Sequence, residues 1–439
     1  MPSPPKLPVT PALLRTLFFR HSLPFFLRRC VKRYGDLVQL RPGIWLASHP
    51  DLVRQILVAN PQKWNKARGV EKTKRLMGEG LLGSHGELHR GRRRLLQPLF
   101  SVARLPFYAD TILDCALETR DRWHDGDRVD IGAEMSVLAL SIITRGVFGA
   151  GITGRENEIS RGLDVSMKSF NLAMMPGGDV WEKIPHVERR FQQGKRAIDD
   201  IVYALIEERR RAHLSETDED VLSILLRARN EDGSGLRDED IRDEAMTLLM
   251  AGHETTANVL TFANWFVGRH PDVRARLETE VDEVLGERRA TYADLGNLKY
   301  TRAILSETMR LTPPAWMVGR HAVEELTLQW QGQTVEVPNG TTILISPFVL
   351  HRDERFWENA RSFEPSRWEN GFQPPKNVYL PFGAGARTCI AENFAWMEAT
   401  LSLATLAQKF RAFPIGKLDL EPSATLRSRG PLWMRLESR

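Results

Sequence analysis

The segment Pro381-Phe382-Gly383-Ala384-Gly385-Ala386-Arg387-Thr388-Cys389-Ile390 carries the strongest pattern in this 439-residue chain. Two glycines and an alanine allow a tight backbone that can lie flat against a planar ligand. The cysteine stands where a helical pattern begins, so backbone N–H groups and the helix dipole favour its thiolate form. A buried cysteine that acts as a small hydrophobe would leave the glycines and Arg387 unexplained. The segment therefore predicts a reactive thiolate on a loop that fits a flat ligand.

The overall composition is that of an ordinary globular protein, with 42% hydrophobic and 27% charged residues. The net charge of +5, from 61 basic and 56 acidic residues, is too balanced to indicate a nucleic-acid partner. No linker, low-complexity tract or internal repeat interrupts the chain. We therefore expect one large folded unit.

Cysteine content and hydropathy indicate the compartment. The cysteines are Cys30, Cys115 and Cys389, a sparse and odd set that argues against a disulfide framework and favours a reducing compartment. No run of about 18 apolar residues is present, and no apolar stretch leads to a small-residue cleavage site. We therefore expect a cytoplasmic protein without a membrane anchor.

Helical periodicity dominates the chain, with apolar residues recurring at spacings of three and four. The longest helical pattern runs from Asp238 to Arg269, begins with three acids that complement the helix dipole, and ends before Pro271. Further helical patterns cover residues 50–60, 187–214, 271–285 and 393–410. Strand patterns are confined to residues 36–48 and 326–346. The sequence predicts a mainly α fold with a small β region.

Gly78-Glu79-Gly80-Leu81-Leu82-Gly83 matches the dinucleotide-binding pattern GxGxxG. That function requires a strand before the glycines and a helix that begins on them. The preceding residues, Glu71 to Arg75, are polar and helix-like, and another glycine-containing stretch follows. We therefore predict a flexible loop here and no nucleotide site.

Phe382, Gly385, Arg387 and Cys389 fit every fixed position of the haem-binding signature FxxGxRxC. The chain therefore resembles the cytochrome P-450 family, whose members hold haem through a cysteine thiolate. The family usually has glycine two residues after the cysteine, whereas this chain has Ala391, a mild departure that leaves the ligand in place. The resemblance implies that Cys389 is the axial ligand of the haem iron and that Phe382, Gly385 and Arg387 bind the cofactor.

Two further family segments follow in the expected order. Glu307 and Arg310 match ExxR, and residues 363–368 match FxPxRW, whose arginine is Arg367. A spacing of three puts Glu307 and Arg310 on one helix face, where such a pair is ordinarily a surface salt bridge of little energy. The resemblance implies instead that Glu307, Arg310 and Arg367 form a structural lock behind the haem.

The centre of the long helical pattern carries Ala251-Gly252-His253-Glu254-Thr255-Thr256, which is similar to the family motif AGx[D/E]T[T/S]. Glycine and threonine lower helix propensity, so the segment serves either close packing or function. By the resemblance, Glu254 relays protons and Thr255 holds the water or oxygen intermediate over the iron, which is general acid–base catalysis.

The haem b of this family carries two propionates, which need basic partners. His89 and Arg93, four residues apart, match the family's W/H-x-x-x-R element, and Arg320 and Arg387 match two further propionate positions. His351 is a weaker candidate for haem contact. The resemblance therefore assigns cofactor binding to His89, Arg93, Arg320 and Arg387.

The other arginines of the same basic run, Arg90, Arg92 and Arg94, have two interpretations. They form either a solvated helix face or part of a docking face for an acidic ferredoxin or flavodoxin. We expect no attached flavin or nicotinamide domain. The resemblance then implies that electrons from NAD(P)H arrive through such a protein and its reductase.

By the same resemblance, the candidate pocket residues are Phe170, Met174, Ala251, Trp316, Met317 and Val318. Methionine and aromatic residues at such positions are more often part of a core. If these residues line the pocket, the substrate is a largely apolar small molecule. Terpenoid, indole-alkaloid-like and polyketide-like intermediates of bacterial secondary metabolism all stay open.

The resemblance implies one haem-thiolate monooxygenase domain over residues 35–439, preceded by a lead-in segment at residues 1–34. Haem would lie between the long central helix and the helix of the cysteine loop. The expected reaction is activation of dioxygen and oxidation of the apolar substrate. Oxidative coupling or cyclisation without oxygen insertion stays open. A haem sensor or carrier, and a peroxide-dependent relative, are disfavoured because neither needs the Glu254–Thr255 relay.

Overall fold

Helices and short strands make up most of the described chain. In the computed structural model the described residues are 23–149, 162, 184–212, 220–229 and 233–439. They group into two units, of which the first draws on the described residues within 23–68, 306–389 and 419–429, and the second on those within 69–305, 390–418 and 430–439. The prediction of a mainly α fold with a small β region is confirmed.

The elements are numbered here in chain order over the described residues. The α-helices are α1 (Leu23–Tyr34), α2 (Pro50–Val53), α3 (Arg68–Met77), α4 (Gly86–Leu96), α5 (Leu105–Asp121), α6 (Ile131–Ile142), α7 (Pro185–Arg211), α8 (Val221–Arg227), α9 (Asp238–Arg269), α10 (Pro271–Val284), α11 (Lys299–Leu311), α12 (Pro347–Leu350) and α13 (Glu392–Ala407). The strands are β1 (Leu37–Arg41), β2 (Ile44–Ala47), β3 (Trp64–Lys66), β4 (Arg128–Asp130), β5 (Val318–Ala322), β6 (Leu326–Trp330), β7 (Gln333–Val337), β8 (Thr342–Ile345), β9 (Phe410–Pro414), β10 (Leu420–Pro422), β11 (Leu426–Ser428) and β12 (Trp433–Ser438).

The first unit is built on a five-stranded sheet of order β1-β2-β8-β5-β3. Its neighbouring strands are antiparallel except β2 and β8, which run parallel with Ile44 opposite Thr342. A separate hairpin joins β6 to β7 through Gln331-Gly332, whose φ angles of 51° and 73° suit the two-residue turn that matches strand twist. Ile343, Ile345 and Trp357 form part of the apolar core beside this sheet.

The second unit is organised around α9, whose 32 residues span about 48 Å at 1.5 Å per residue. This helix packs against α6, α7, α13 and β9. Two of its buried polar side chains donate to carbonyls of the preceding turn: Thr261 Oγ1 to Ala257 O at 2.6 Å and Asn264 Nδ2 to Leu260 O at 2.9 Å. The strands of this unit form a sheet of order β4-β12-β9.

The first described helix, α1, packs into the first unit. Phe26, Leu27 and Cys30 are buried there, and the ring of Phe25 meets that of Phe348 edge to face at 5.3 Å. Residues 1–22 of the expected lead-in segment lie outside the described residues. Across the described part of the chain, no helix combines the length and the apolar character needed to cross a membrane.

Candidate active site

The cysteine segment forms a closed turn in the first unit. Residues 385–387 make one turn of 3-10 helix, and the N–H of Cys389 donates to the carbonyl of Phe382 at 2.9 Å. Gly383 and Gly385 have φ angles of 76° and 71°, in the left-handed region that favours glycine. The backbone of the loop therefore closes on itself, with Cys389 exposed.

Position 385 also requires glycine because the backbone of Leu57 lies very close to it. A Cβ at this position would lie 2.0 Å from the carbonyl oxygen of Leu57, in the π-helical turn Arg54–Ala59. We expect Gly385→Ala to lower the free energy of unfolding by about 2–4 kcal/mol in urea denaturation, because the φ angle and the clash both act against a side chain. Gly383→Ala is the matched control, since its φ is similar but its nearest neighbour lies 4.0 Å away. Equal losses for the two variants would contradict a role for the Leu57 contact.

The three cysteines differ in exposure, and none forms a disulfide. Burial raises the pKa of Cys30 to about 11 and that of Cys115 to about 12, so both thiols stay protonated near neutrality. Cys389 is the exposed member of the set. The chain therefore offers its accessible sulfur at the position that the sequence signature selects.

Two arginines of the first unit carry charge without a compensating acid among the described residues. Arg320, on β5, is buried and donates to the carbonyl of Gly319 at 3.1 Å, and burial and the nearby Arg387 lower its pKa to about 10. Burial also lowers the pKa of Arg387, whose buried Nη1 has no hydrogen-bond partner among the described residues. No described carboxylate pairs with either guanidinium. Two such cations suit the two propionates of haem, so the residues present fit that cofactor.

The structure brings together the three residues of the predicted lock. Glu307 and Arg310 are fully buried on α11, where Arg310 donates twice to the carboxylate of Glu307, at 2.7 and 2.8 Å. Arg367 Nε lies 3.6 Å from Glu307 Oε1. Arg310 also donates, at 2.7–2.9 Å, to the carbonyls of His351, Ala360 and Ser362. The group is a buried polar network rather than a surface salt bridge.

His351 lies beside the segment that leads into the cysteine loop. It is buried, and its Nε2 accepts a hydrogen bond from the N–H of Leu380 at 2.8 Å. Burial, with Arg310 and Arg352 nearby, lowers its pKa to about 3, so the ring is neutral. It holds the chain that leads into the cysteine loop, and contact of His351 with haem stays a prediction.

The motif at the centre of α9 directs its side chains to separate partners. Thr255 Oγ1 donates to the carbonyl of Ala251 at 2.6 Å, and Ala251 itself is exposed. His253 is buried 2.8 Å from Ser136 Oγ, and burial lowers its pKa to about 4, so it is neutral. Glu254 is half-buried. Because the hydroxyl proton of Thr255 is engaged within the helix, its oxygen is oriented to accept a hydrogen bond.

The basic run lies on α4 in the second unit, where its arginines differ in exposure. His89 is buried, Arg93 is half-buried, and Arg92 is buried against Asp240 of α9, with a hydrogen bond of 2.6 Å. The prediction that Arg92 is part of a docking face or a solvated face is wrong, because its side chain is held inside the unit. The arginines of the run that remain exposed are Arg90 and Arg94.

The sequence matches the family model for cytochrome P-450 over residues 1–429. The chain belongs to the cytochrome P-450 family. Its relatives include cyclooctat-9-en-7-ol 5-monooxygenase of Streptomyces melanosporofaciens, 37% identical over 91% of this chain and 86% of the relative. Cyclooctatin synthase of the same organism is 37% identical over 92% of this chain and 89% of the relative. Pentalenene oxygenase of Streptomyces avermitilis is 32% identical over 94% of this chain and 92% of the relative.

As a cytochrome P-450, the protein is a haem-dependent oxidoreductase of the monooxygenase class, which confirms the function predicted from the sequence. The resemblance carried by the cysteine signature and the predicted P-450 fold are confirmed as well. A haem cofactor and a small-molecule substrate follow from membership of the family.

The pocket candidates of this P-450 differ in burial. Trp316 is 4% exposed and belongs to an apolar cluster of the first unit, where its indole N–H donates to the carbonyl of Ser423 at 2.8 Å. Its indole is therefore packed in this cluster, and its assignment to the pocket stays a prediction. Met317 and Val318 are half-buried. Phe170 and Met174 lie outside the described residues.

Sequence reasoning missed a buried acid in the second unit of the P-450. Glu398, on α13, is 2% exposed and accepts a hydrogen bond from Thr256 Oγ1 at 3.1 Å. Burial raises its pKa to about 8, so the carboxyl group is protonated near neutrality. The available signal was a single acid inside the apolar run Phe394–Leu406. Through this hydrogen bond, Glu398 links α13 to Thr256, the residue that follows Thr255.

Proposed function

We propose that this cytochrome P-450 binds haem b through Cys389 and inserts one oxygen atom of dioxygen into a largely apolar terpenoid. The observation that carries the proposal is the exposed thiol of Cys389 on a loop with two glycines of positive φ, in a unit that also contains two arginines with no described carboxylate partner. Arg320 and Arg387 would bind the propionates, and His89 and Arg93 on α4 are the other residues proposed to bind the cofactor. When bound, the thiolate-ligated haem supplies the activation of dioxygen.

The residues of α9 would manage the protons that this chemistry consumes. Thr255, whose hydroxyl proton is donated to Ala251 O at 2.6 Å, would hold a water by accepting its hydrogen. Glu254 is half-buried on the same helix turn and would pass protons from solvent to that water. Glu307, Arg310 and Arg367 touch neither substrate nor water in this scheme and keep the first unit rigid.

The names of the relatives support the choice among the three substrate classes left open by the sequence. One relative is named for an alkene alcohol, cyclooctat-9-en-7-ol, and another for an alkene, pentalenene. Both are largely hydrocarbon, in agreement with the apolar candidates Ala251, Met317 and Val318. A cyclic terpene hydrocarbon or monoalcohol of secondary metabolism is therefore our proposed substrate.

Electrons would come from NAD(P)H through a separate reductase and a ferredoxin or flavodoxin, in the cytoplasm. The exposed Arg90 and Arg94 on α4 support the docking of an acidic protein. Such a contact is electrostatic, so its association rate would fall as ionic strength rises.

The proposal is tested by the absorption spectrum of the purified ferric protein during titration with cyclic terpenes and their monoalcohols. We expect a thiolate–haem spectrum that shifts from low to high spin with these compounds and stays unchanged with indoles or macrolides, because an apolar ligand displaces the distal water. Product mass then separates oxygen insertion, a gain of one oxygen atom, from coupling. Haem without thiolate character would contradict the cofactor assignment, and a shift with indoles alone would contradict the substrate class.

A further inference from the structure

Arg92 is the buried centre of an ionic cluster at the first turns of α9. Its Nη2 donates to Asp240 Oδ1 at 2.6 Å, and its Nε lies 3.3 Å from Glu244 Oε1. Asp240 and Glu244 are four residues apart, so one turn of α9 presents both carboxylates to a single guanidinium. The side chains of Arg92 and Glu244 are 7% and 0% exposed, so solvent screens their attraction little.

The same part of α9 holds the segment Gly78–Gly83, which leads into α4. Glu79 N–H donates to Asp243 Oδ2 at 2.7 Å, and Leu81 N–H donates to Glu244 Oε2 at 2.9 Å. The two glycines that flank Glu79 lie so close that a Cβ on either would be 1.9–2.4 Å from an oxygen of Asp243. The GxGxxG pattern therefore serves contact with a helix, and the segment is anchored where a flexible loop was predicted.

Helix α4 connects this cluster to two proposed haem-binding residues. His89 and Arg93 share one face of α4, because residues four apart are neighbours on a helix. Arg92 precedes Arg93 by one residue, which is about 100° of rotation on a helix of 3.6 residues per turn. Contact of Arg92 with two carboxylates of α9 therefore fixes the direction in which His89 and Arg93 point.

We propose that Arg92 and Glu244 are positioning residues for haem, which hold α4 at the rotation where His89 and Arg93 can bind the propionates. This inference rests on the proposed function, since it assumes that His89 and Arg93 bind haem. Glu244 contacts both α4 and the loop before it, because one carboxylate oxygen faces Arg92 and the other accepts a hydrogen bond from Leu81 N–H.

Glu244 gains or loses its charge near neutral pH. The pKa of Glu244 is raised to about 7, mainly because the residue is buried. The negative charges of Asp243 and Asp240 raise it further, and the hydrogen bond from Leu81 N–H and the charge of Arg92 act in the opposite direction. These are the charged and polar groups that face Glu244 from the loop, from α4 and from α9. Protonation removes the attraction to Arg92, so the positioning weakens as the pH falls through about 7.

The test is the rate of haem transfer from the holoprotein to excess apomyoglobin. Glu244→Gln keeps an acceptor for Leu81 N–H and removes only the charge. We expect this variant to release haem roughly tenfold faster than wild type at about pH 8, and at nearly the wild-type rate at about pH 6, where Glu244 is already protonated. Arg92→Lys keeps the positive charge, but lysine cannot contact Asp240 and Glu244 together as the guanidinium does. At about pH 8 this variant should release haem at a rate between those of wild type and Glu244→Gln.

The matched control is Glu239→Gln, which removes an exposed carboxylate from the first turn of α9 and should release haem like wild type. Rates are compared where circular dichroism gives every variant the native helix content; if Glu244→Gln does not fold, Arg92→Lys decides alone. A wild-type rate at about pH 8, or an increase that is equal at both pH values, overturns the inference. Wild type without thiolate-bound haem instead overturns the proposed function, and this inference with it.

Discussion

Cys389→Ser is expected to abolish turnover, with a loss of at least about a thousandfold, or ~4 kcal/mol of activation free energy. Serine at this position presents a neutral hydroxyl, which donates far less electron density to the iron than a thiolate. The loss should be visible before any assay, because the thiolate signature would disappear from the spectrum of the reduced carbon monoxide complex. Haem content, measured separately, then distinguishes a changed ligand from a lost cofactor.

The other two cysteines provide matched controls for the same chemical change. Cys30→Ser and Cys115→Ser each place a hydroxyl in a buried site, so both should lose stability and keep the thiolate spectrum. A Cys389→Ser protein with the wild-type spectrum would contradict the ligand assignment. Loss of the thiolate spectrum in Cys115→Ser alone would move the ligand to a buried residue whose pKa of about 12 makes it a poor thiolate.

Local sequence signals were sufficient for the element that positions the proposed catalytic pair. The pattern from Asp238 to Arg269 predicts the helix with the bounds that α9 has, because three acids begin it and Pro271 follows its end. The strand pattern predicted within residues 326–346 also forms strands, and two residues with positive φ make the turn between β6 and β7. The expected helix over residues 50–60 is α-helical only to Val53 and then π-helical, a change that periodicity does not encode.

Contacts between distant elements were not predictable from the same signals. Within the basic run of α4, Arg92 looks like its neighbours in sequence, and only the carboxylates of α9 make it a buried residue. Likewise, Trp316 is a core residue because Ser423, more than a hundred residues away, accepts its indole N–H. A residue's type predicts what it can bind, but the packing of other elements decides which way it faces.

Arg310→Lys is expected to lower the free energy of unfolding by about 3–5 kcal/mol, the largest stability effect of any conservative change proposed for this chain. All five N–H donors of Arg310 are used, two on Glu307 and three on backbone carbonyls, and the residue is fully buried. Lysine has three donors on one atom and cannot reach acceptors arranged around a planar fork. Carboxylate and carbonyl oxygens would then stay buried and unpaired. The shift of the urea midpoint measures the loss.

Arg361→Lys is the matched control, because it makes the same chemical change in an exposed ion pair, 3.3 Å from Glu354. Solvent screens that pair, so its loss should stay within about 0.5 kcal/mol. Similar midpoints for the two variants would contradict a structural lock at Glu307, Arg310 and Arg367. A large loss of stability in Arg310→Lys with a small one in Arg361→Lys would instead show that the stability of the first unit depends on this network. The ExxR and FxPxRW motifs both contribute to it, since Glu307 also accepts a hydrogen bond from Trp368 Nε1 at 3.0 Å. The two motifs are then best understood as one buried hydrogen-bonded structure, which joins the end of α11 to the segment 351–368 within that unit.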